Sequence, residues 1–285
     1  MRVYMITDLE GPCGVNGRPA QGIGNQIINP ETAKQALVNE VNACIEGLVA
    51  AGADSVTVVD GHGGSNSIDI FKLHPAAELL QYGGTFFQAF PDGEYDAAIQ
   101  IGAHAMQNSD GFMCHSFNSH GISEIRLNGK PIGEIGIEFL ICGWFGIPMV
   151  LVSGDEKACQ EAREFAGGKV ETVATKYAHS RYSVRNYSPT KVYEELREKS
   201  CLALKNLRSY PVTPMPKRIE LVYEYMCPNI ADGQEARGAE RVDFRTIRDE
   251  GDDFMKVWLR RYFSEESIER HYSEMLKARK LAISK

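Results

Sequence analysis

The stretch "SVTVVDGHGGSNS", residues 55–67, runs from β-branched residues into a glycine-rich segment that carries a carboxylate and an imidazole. Its valines predict a buried strand, because β-branched side chains pack well on a pleated surface. Asp60 and His62 follow where that strand ends. The glycines fit an ordinary turn, and their spacing matches neither common phosphate-binding pattern, G-x-G-x-x-G or G-x-x-x-x-G-K-[ST]. The stretch therefore predicts a strand with polar side chains at its tip, and it leaves open whether the tip is a turn or a functional site.

Short apolar strands alternate with amphipathic helices on either side of this stretch. We predict strands at residues 3–7, 55–60, 97–101 and 148–155, helices at 30–53 and 133–146, and a short helix at the end of 67–80. The Asn128-Gly129 pair between alternating apolar residues predicts a β-hairpin. This alternation is typical of an α/β fold with a mainly parallel sheet flanked by helices.

The pattern of predicted strands and helices changes near residue 190. An amphipathic helix at 188–207 leads into a proline-spaced linker, a strand at 219–225 and a charged helix at 264–283. We therefore predict two domains: an α/β domain over residues 1–190, which would hold the functional site, and a smaller α+β domain over residues 191–285.

Composition narrows the class of protein. With 31 basic and 38 acidic residues, the net charge of −7 disfavours binding to nucleic acid or to a membrane surface. The sequence has no run of about 20 apolar residues that would span a bilayer, and its first residues do not form a signal peptide. The seven cysteines are scattered and form no C-x-x-C pair, which is typical of reduced thiols in the cytoplasm.

Polar side chains follow three predicted strands at equivalent places. Asp8 and Glu10 follow the first strand, His62 the second and His104 the third. Ligands of open α/β sheets bind outside the carboxyl ends of the strands, so these side chains should converge. Each of them alone has an ordinary explanation as a cap, a surface residue or a structural histidine. Together they form an oxygen and nitrogen donor set that suits zinc or manganese.

Further candidates lie later in the chain. We assign functional roles to His115, in "MCHS", and to Glu134, which follows the hairpin between two glycines, whereas we expect His120 to be a solvated loop residue. Lys176 and Arg181, in "KYAHSR", could bind a substrate carboxylate or a tetrahedral oxyanion. A pair of basic residues on the surface explains them equally well.

These motifs resemble one family in order and spacing. "YMITDLEG", "DGHGGSN", "GAHA", "MCHS", "NGKPIGEIG", "GIPMVLVSGD" and "KYAHSR" are similar to motifs of the self-compartmentalising D-aminopeptidases, di-zinc metallopeptidases linked to bacterial dipeptide uptake. The resemblance covers residues 3–190. Beyond that point it fades, so it implies little about substrate preference.

The resemblance implies a ligand set, a base and an assembly. It implies that two zinc ions per subunit are bound by Asp8, Glu10, His62, His104 and Glu134, and that His115 is the catalytic base or nucleophile. Asp60 matches the acid of the family's D-x-H motif, where we expect it to orient a ligand or to bind weakly. The subunits of this family form two stacked pentameric rings around a chamber, which implies a homodecamer. Trp144, Phe145 and the 188–207 helix could supply contacts between subunits, or could fill the core of the monomer.

We therefore predict a cytoplasmic, metal-dependent aminopeptidase that acts on short peptides with an N-terminal D-amino acid. Five protein ligands on two ions leave positions free for water and substrate, and manganese or cobalt would suit the same donors. Alternatives remain open: a binuclear phosphoesterase, a binuclear amidase with another substrate, or a non-catalytic protein that binds a metal or a peptide.

Overall fold

A seven-stranded sheet forms the centre of the larger layer of the molecule. The computed structural model describes residues 1–82, 90–91 and 94–283. Across the sheet the strands are β11 (Ser183–Asn186), β10 (Glu171–Ser180), β9 (Met149–Asp155), β6 (Ala97–Ala103), β1 (Arg2–Thr7), β4 (Ser55–Asp60) and β5 (Ala77–Leu80). All neighbours pair in parallel except β10 and β11, which pair antiparallel. The prediction of a mainly parallel sheet is confirmed.

Helices cover both faces of this sheet. Along β1, Val3 and Met5 belong to the hydrophobic cluster beneath α1 (Pro30–Ala50) and α4 (Pro189–Lys205). Tyr4 and Ile6 belong to the cluster on the other face, beneath α2 (Glu134–Trp144) and α3 (Glu156–Phe165). Side chains of a strand alternate between faces, so a strand that is apolar at every position is one that both faces bury.

A second, antiparallel sheet packs beside the first with the remaining helices. Its strands are β13 (Glu240–Arg241), β14 (Thr246–Gly251), β12 (Ile219–Tyr225), β7 (Ile122–Leu127) and β8 (Lys130–Pro131). Next to it lie α5 (Pro228–Glu235), α6 (Phe254–Leu259) and α7 (Glu265–Ile283). A small ribbon of β2 (Gly17–Pro19) and β3 (Asn25–Ile27) completes the strands, and single 3₁₀ turns lie at Ile70–Lys72 and Leu207–Ser209.

The second sheet draws strands from both sides of residue 190. β7 and β8 come from residues 122–131, and β12 pairs with β7 from Leu221 to Tyr225. Conversely, α4 begins at Pro189 and packs against α1 of the first layer. The second sheet therefore contains strands from before residue 190, and a helix that begins near residue 190 packs on the first layer. The change in sequence pattern at residue 190 does not coincide with a border between the two sheets.

One local expectation is wrong, and one open question is decided. The segment at 67–80 ends in β5, not in a short helix: Ala77 and Leu80 pair with Val56 and Val59 of β4. The open edge of β4 offers backbone hydrogen bonds, and these outweigh the helix propensity of alanine, glutamate and leucine. Of the two roles considered for Trp144 and Phe145, the structure supports the filling of the chain's own core, where both side chains are buried.

Residues 156–186 add elements that the periodicity did not indicate, namely α3, β10 and β11. Within the described part of the chain, we find no helix that has both the length and the apolar character of a bilayer span.

Candidate metal centre

The polar side chains after β1, β4 and β6 meet at one edge of the sheet, as the sequence predicts. These three strands are neighbours in the order β6-β1-β4. Asp8 and Glu10 lie just past β1, His62 past β4 and His104 past β6, and Glu134 is the first residue of α2. All five line one cavity. Parallel strands place their carboxyl ends on the same side, which is why residues far apart in sequence converge here.

Two glycines let the loops after β1 and β6 approach each other. The amide of Gly11 donates to the carbonyl of Gly102 at 2.8 Å, and the amide of Asp8 donates to Ile101 O at 2.9 Å. A Cβ on Gly11 would lie 2.3 Å from Ala103 O, and one on Gly102 would lie 2.1 Å from Asp8 O. Gly102 also has a φ of +83°. Only glycine allows this approach, and the approach brings Asp8 to His104.

The five side chains form a continuous chain of contacts with Asp8 at its centre. His62 Nδ1 lies 3.0 Å from both Asp8 Oδ1 and Glu10 Oε2. His104 Nε2 lies 3.3 Å from Asp8 Oδ2 and 3.2 Å from Glu134 Oε1. Asp8 thus turns one oxygen towards each imidazole and links the two histidines.

The donor atoms also group closely enough to hold metal. One ligand atom each from Asp8, Glu10 and His104 lie within 4.8 Å of one another, and so do those from His104, His115 and Glu134. Imidazole nitrogen and carboxylate oxygen are typical zinc donors. The residues therefore fit a zinc centre. His115 lies within ligating reach as well as within reach of a proton-transfer role.

The electrostatics of the centre require a positive charge. Burial opposes a charge on His62, but Glu10 and Asp8 outweigh it and raise its pKa to about 11. The pKa of His104 lies well above its usual value for the same reason, with Glu134 and Asp8 as the partners. Burial would raise the pKa values of Asp8 and Glu134, yet the imidazoles hold both below their usual range. The carboxylates therefore favour positive charge on both imidazoles, and positive charge at this place is what a metal ion supplies.

His115 is held in a form that can accept a proton. Its ring stacks on His104 with centroids 3.9 Å apart and an angle of 12° between the rings. Its Nδ1 lies 2.9 Å from Met113 O. A carbonyl oxygen only accepts hydrogen bonds, so Nδ1 carries the proton and Nε2 keeps its lone pair. Burial lowers the pKa of His115, and the positive charge of His104 lowers it further.

The backbone around His115 is strained. Met113 and Phe117 have φ values of +46° and +57°. Such conformations cost about 1–3 kcal/mol each in a residue other than glycine, and they cluster at functional sites. The amide of Phe117 donates to Glu134 Oε1 at 2.6 Å, which ties this loop to the metal centre. This loop conformation and its hydrogen bond to Glu134 hold His115 beside the ligands.

Asp60 lies behind the centre and shapes the loop that carries His62. It is fully buried, and its Oδ2 accepts hydrogen bonds from the amides of Ser67 at 2.6 Å and Ile68 at 3.1 Å. Its described contacts reach the loop backbone and not the His62 ring. These contacts support a positioning role for Asp60, as the sequence predicts. The group that Asp60 positions is the loop backbone and not the imidazole.

The two basic candidates lie apart from each other. Lys176 is completely buried, and its Nζ donates to Glu10 O at 2.8 Å and to Val15 O at 3.0 Å. It is not among the residues that line the cavity, so its ammonium group holds the backbone beneath Glu10 instead of facing a substrate. Arg181 is exposed, and its Nε donates to Asn25 Oδ1 at 3.2 Å. Through Asn25, which lines the cavity, Arg181 contacts its rim.

The cavity has a volume of about 610 Å³ and extends from the centre to the second sheet. The wall on that side contains residues that the sequence analysis did not single out: Tyr225, Ile230, Gln234, Arg237, Arg261 and Tyr262. They lie in a region of mixed charge without a periodic pattern. His120 also lines the cavity, although it is exposed as expected.

Comparisons with known proteins agree on one family. The sequence profile described as D-aminopeptidase matches residues 1–261. A D-aminopeptidase from Bacillus subtilis (strain 168) is 32% identical over 228 residues, which is 79% of this chain and 81% of that protein. A solved structure, the Zn-dependent D-aminopeptidase DppA from Bacillus subtilis, described as a self-compartmentalizing protease, superposes with a TM-score of 0.81 at 28% identity. That match covers 100% of this chain and 99% of the other.

Proposed function

The chain belongs to the D-aminopeptidase family, and from this we propose that it is a zinc-dependent aminopeptidase that releases an N-terminal D-amino acid from short peptides. The observation that carries the proposal is the chain of contacts Glu10–His62–Asp8–His104–Glu134 on the wall of a cavity. The family description supports the D-amino acid, and the ligand chemistry supports the metal.

We propose that two zinc ions bind per subunit. Asp8, Glu10, His62, His104 and Glu134 would hold them, because their side chains form one connected cluster. Zinc lowers the pKa of a water molecule and polarises a carbonyl group. Manganese and cobalt would suit the same donors.

The protein's own residues would then place the peptide and move the proton. His115 Nε2, free of a proton, accepts one from the attacking water and returns it to the leaving amine. Its fixed tautomer means that no ring rotation is needed before this transfer. The free α-amino group of the substrate would lie at this centre in its neutral form, which favours cleavage at the N-terminus.

A substrate panel tests this function. We expect the zinc-loaded protein to hydrolyse D-alanine p-nitroanilide faster than L-alanine p-nitroanilide, and not to hydrolyse p-nitrophenyl phosphate, because the family is described as D-aminopeptidase. The protein treated with a chelator serves as the control and should be inactive on all three. Hydrolysis of the phosphate ester without the anilides would point to a phosphoesterase, and zinc binding without any turnover would point to a binding protein.

We propose further that the protein works as a ring-shaped homo-oligomer in the cytoplasm. The related solved structure is described as self-compartmentalizing, which supports assembly, and the seven free cysteines support a reducing compartment. Large apolar side chains remain exposed on the single chain, among them Phe71 at 96% and Phe244 at 66%. Contacts between subunits would cover such side chains.

Light scattering on the purified protein measures this assembly. For a homodecamer we expect a mass of ten times the 31.6 kDa of one chain. Phe71→Glu should lower the mass if this side chain lies between subunits. Lys169→Glu, at an exposed position after α3, gives a surface control. A mass of 31.6 kDa for the unmodified protein at micromolar concentration would contradict the proposal.

A further inference from the structure

The wall of the cavity that the second sheet and its helices supply is cationic. Arg261 follows α6 and Arg237 follows α5, and both line the cavity. The carboxylates that line it in the described part of the chain are Asp8, Glu10 and Glu134, all in the metal centre. The cavity therefore has its acids in one cluster and its guanidinium groups on a different set of elements.

Arg261 is buried but has unused hydrogen-bond donors. It is only 5% exposed, and its Nη2 pairs with the buried Asp249. Its Nε and Nη1 are also buried, and they donate to no acceptor within the described residues. The guanidinium carbon lies 4.8 Å from the centre of the Tyr223 ring, which holds the group in place. Buried donors without an acceptor are costly, so this position calls for an acceptor from a ligand.

Arg237 and Tyr225 line the same cavity as Arg261 and add further hydrogen-bond donors to its wall. Arg237 is exposed and has no ion pair within the described residues, so its charge faces the cavity and the solvent. The hydroxyl group of Tyr225 is buried and interacts with the guanidinium group of Arg261. Two guanidinium groups and a hydroxyl donor form a site for a carboxylate, because arginine binds carboxylates through several N–H groups at once.

We infer that Arg261 and Arg237 bind the C-terminal carboxylate of the peptide substrate, and that the enzyme selects short peptides with a free C-terminus. The inference rests on the proposed function, which places the α-amino group of the peptide at the metal centre. Both ends of the substrate must then lie in one cavity of about 610 Å³. A long or amidated peptide lacks a carboxylate at the required place, whereas a dipeptide or tripeptide presents both charges together.

The test compares D-alanyl-glycine with D-alanyl-glycinamide, which differ only in the terminal carboxylate. We expect the unmodified enzyme to favour the free acid in kcat/KM by about 10-fold to 100-fold, the range for a hydrogen bond to a charged group. Arg261→Lys keeps a cation beside Asp249 but removes the planar group, and Arg237→Gln removes an exposed charge. Each should shrink the preference by raising KM for the free acid with little change in kcat, since the carboxylate does not change its charge or bonding during the reaction.

A control variant and the pattern of hydrolysis distinguish a failure of this inference from a failure of the proposed function. Arg218→Gln, an exposed arginine paired with Glu250 and not part of the cavity wall, should keep the preference. Zinc content and the thermal midpoint check that each variant folds, and Arg237→Gln decides the matter if Arg261→Lys does not. Equal hydrolysis of both peptides by the unmodified enzyme, or an unchanged preference in the folded arginine variants, overturns the inference and leaves the aminopeptidase intact. Hydrolysis of neither peptide overturns the proposed function and this inference with it.

Discussion

Replacement of His115 by alanine is expected to lower kcat on D-alanine p-nitroanilide by about 10²–10⁴-fold, the usual contribution of a general acid–base group, while the zinc content stays unchanged. The physical reason is the tautomer that Met113 O imposes, which leaves Nε2 free to accept a proton. Burial keeps the pKa of His115 below its usual value, so the ring is neutral near neutral pH. Kinetics together with elemental analysis of the same preparation measure both quantities.

The control for this variant is His179→Ala. His179 is exposed on β10 and is not part of the cavity wall, so its loss should change neither turnover nor zinc content. Two results would contradict the assignment in different ways. Loss of zinc from His115→Ala would make His115 a ligand, which its place within 4.8 Å of donors on His104 and Glu134 allows. Unchanged rates on every amide substrate would remove His115 from the mechanism altogether.

Replacement of His104 by alanine is expected to abolish measurable activity and to reduce zinc content. His104 belongs to both groups of potential ligands, since its Nε2 contacts Asp8 and Glu134. Its removal takes away a nitrogen donor and leaves carboxylates facing one another without that imidazole. Loss of groups that merely orient ligands typically weakens metal binding by about 10–100-fold, so loss of a ligand should exceed that range.

Metal depletion of the unmodified protein provides the matched experiment. A chelator should remove the activity, and added zinc should restore it, together with a rise in the thermal midpoint, because a ligand that binds only the folded state stabilises it. In His104→Ala, stoichiometric zinc should restore neither property, whereas His115→Ala should retain the response of the thermal midpoint. Full activity of the chelated protein, or a His104→Ala variant with normal zinc and normal turnover, would disprove the metal-dependent mechanism.

The two histidine variants and the arginine variants address different parts of one reaction. His104 and His115 act where the bond breaks, so their loss should lower kcat with any peptide. Arg261 and Arg237 would act at the far end of the substrate, so their effect should depend on whether the peptide ends in a carboxylate. Comparison of the free and amidated peptides therefore separates binding from chemistry.

The sequence alone determined the strands of the central sheet and the residues at their tips. β-branched and apolar runs predict β1, β4, β6 and β9, because burial on both faces demands apolar side chains at successive positions. The hairpin at Asn128-Gly129 is confirmed, with φ values of +49° and +78° that these two residues tolerate. Asp8, Glu10, His62 and His104 could be placed together because their convergence follows from strand direction alone.

The tertiary structure decided what depends on contacts between distant segments. Residues 77–80 form strand β5 because the edge of β4 offers them backbone hydrogen bonds. Lys176 became a buried support of the Glu10 backbone because residues 160 or more positions apart meet there. Arg261 reached the cavity because β12 pairs with β7 across the boundary in sequence character. Local propensity and periodicity describe a residue's own element, and they hold no information about which distant side chain will be packed against it.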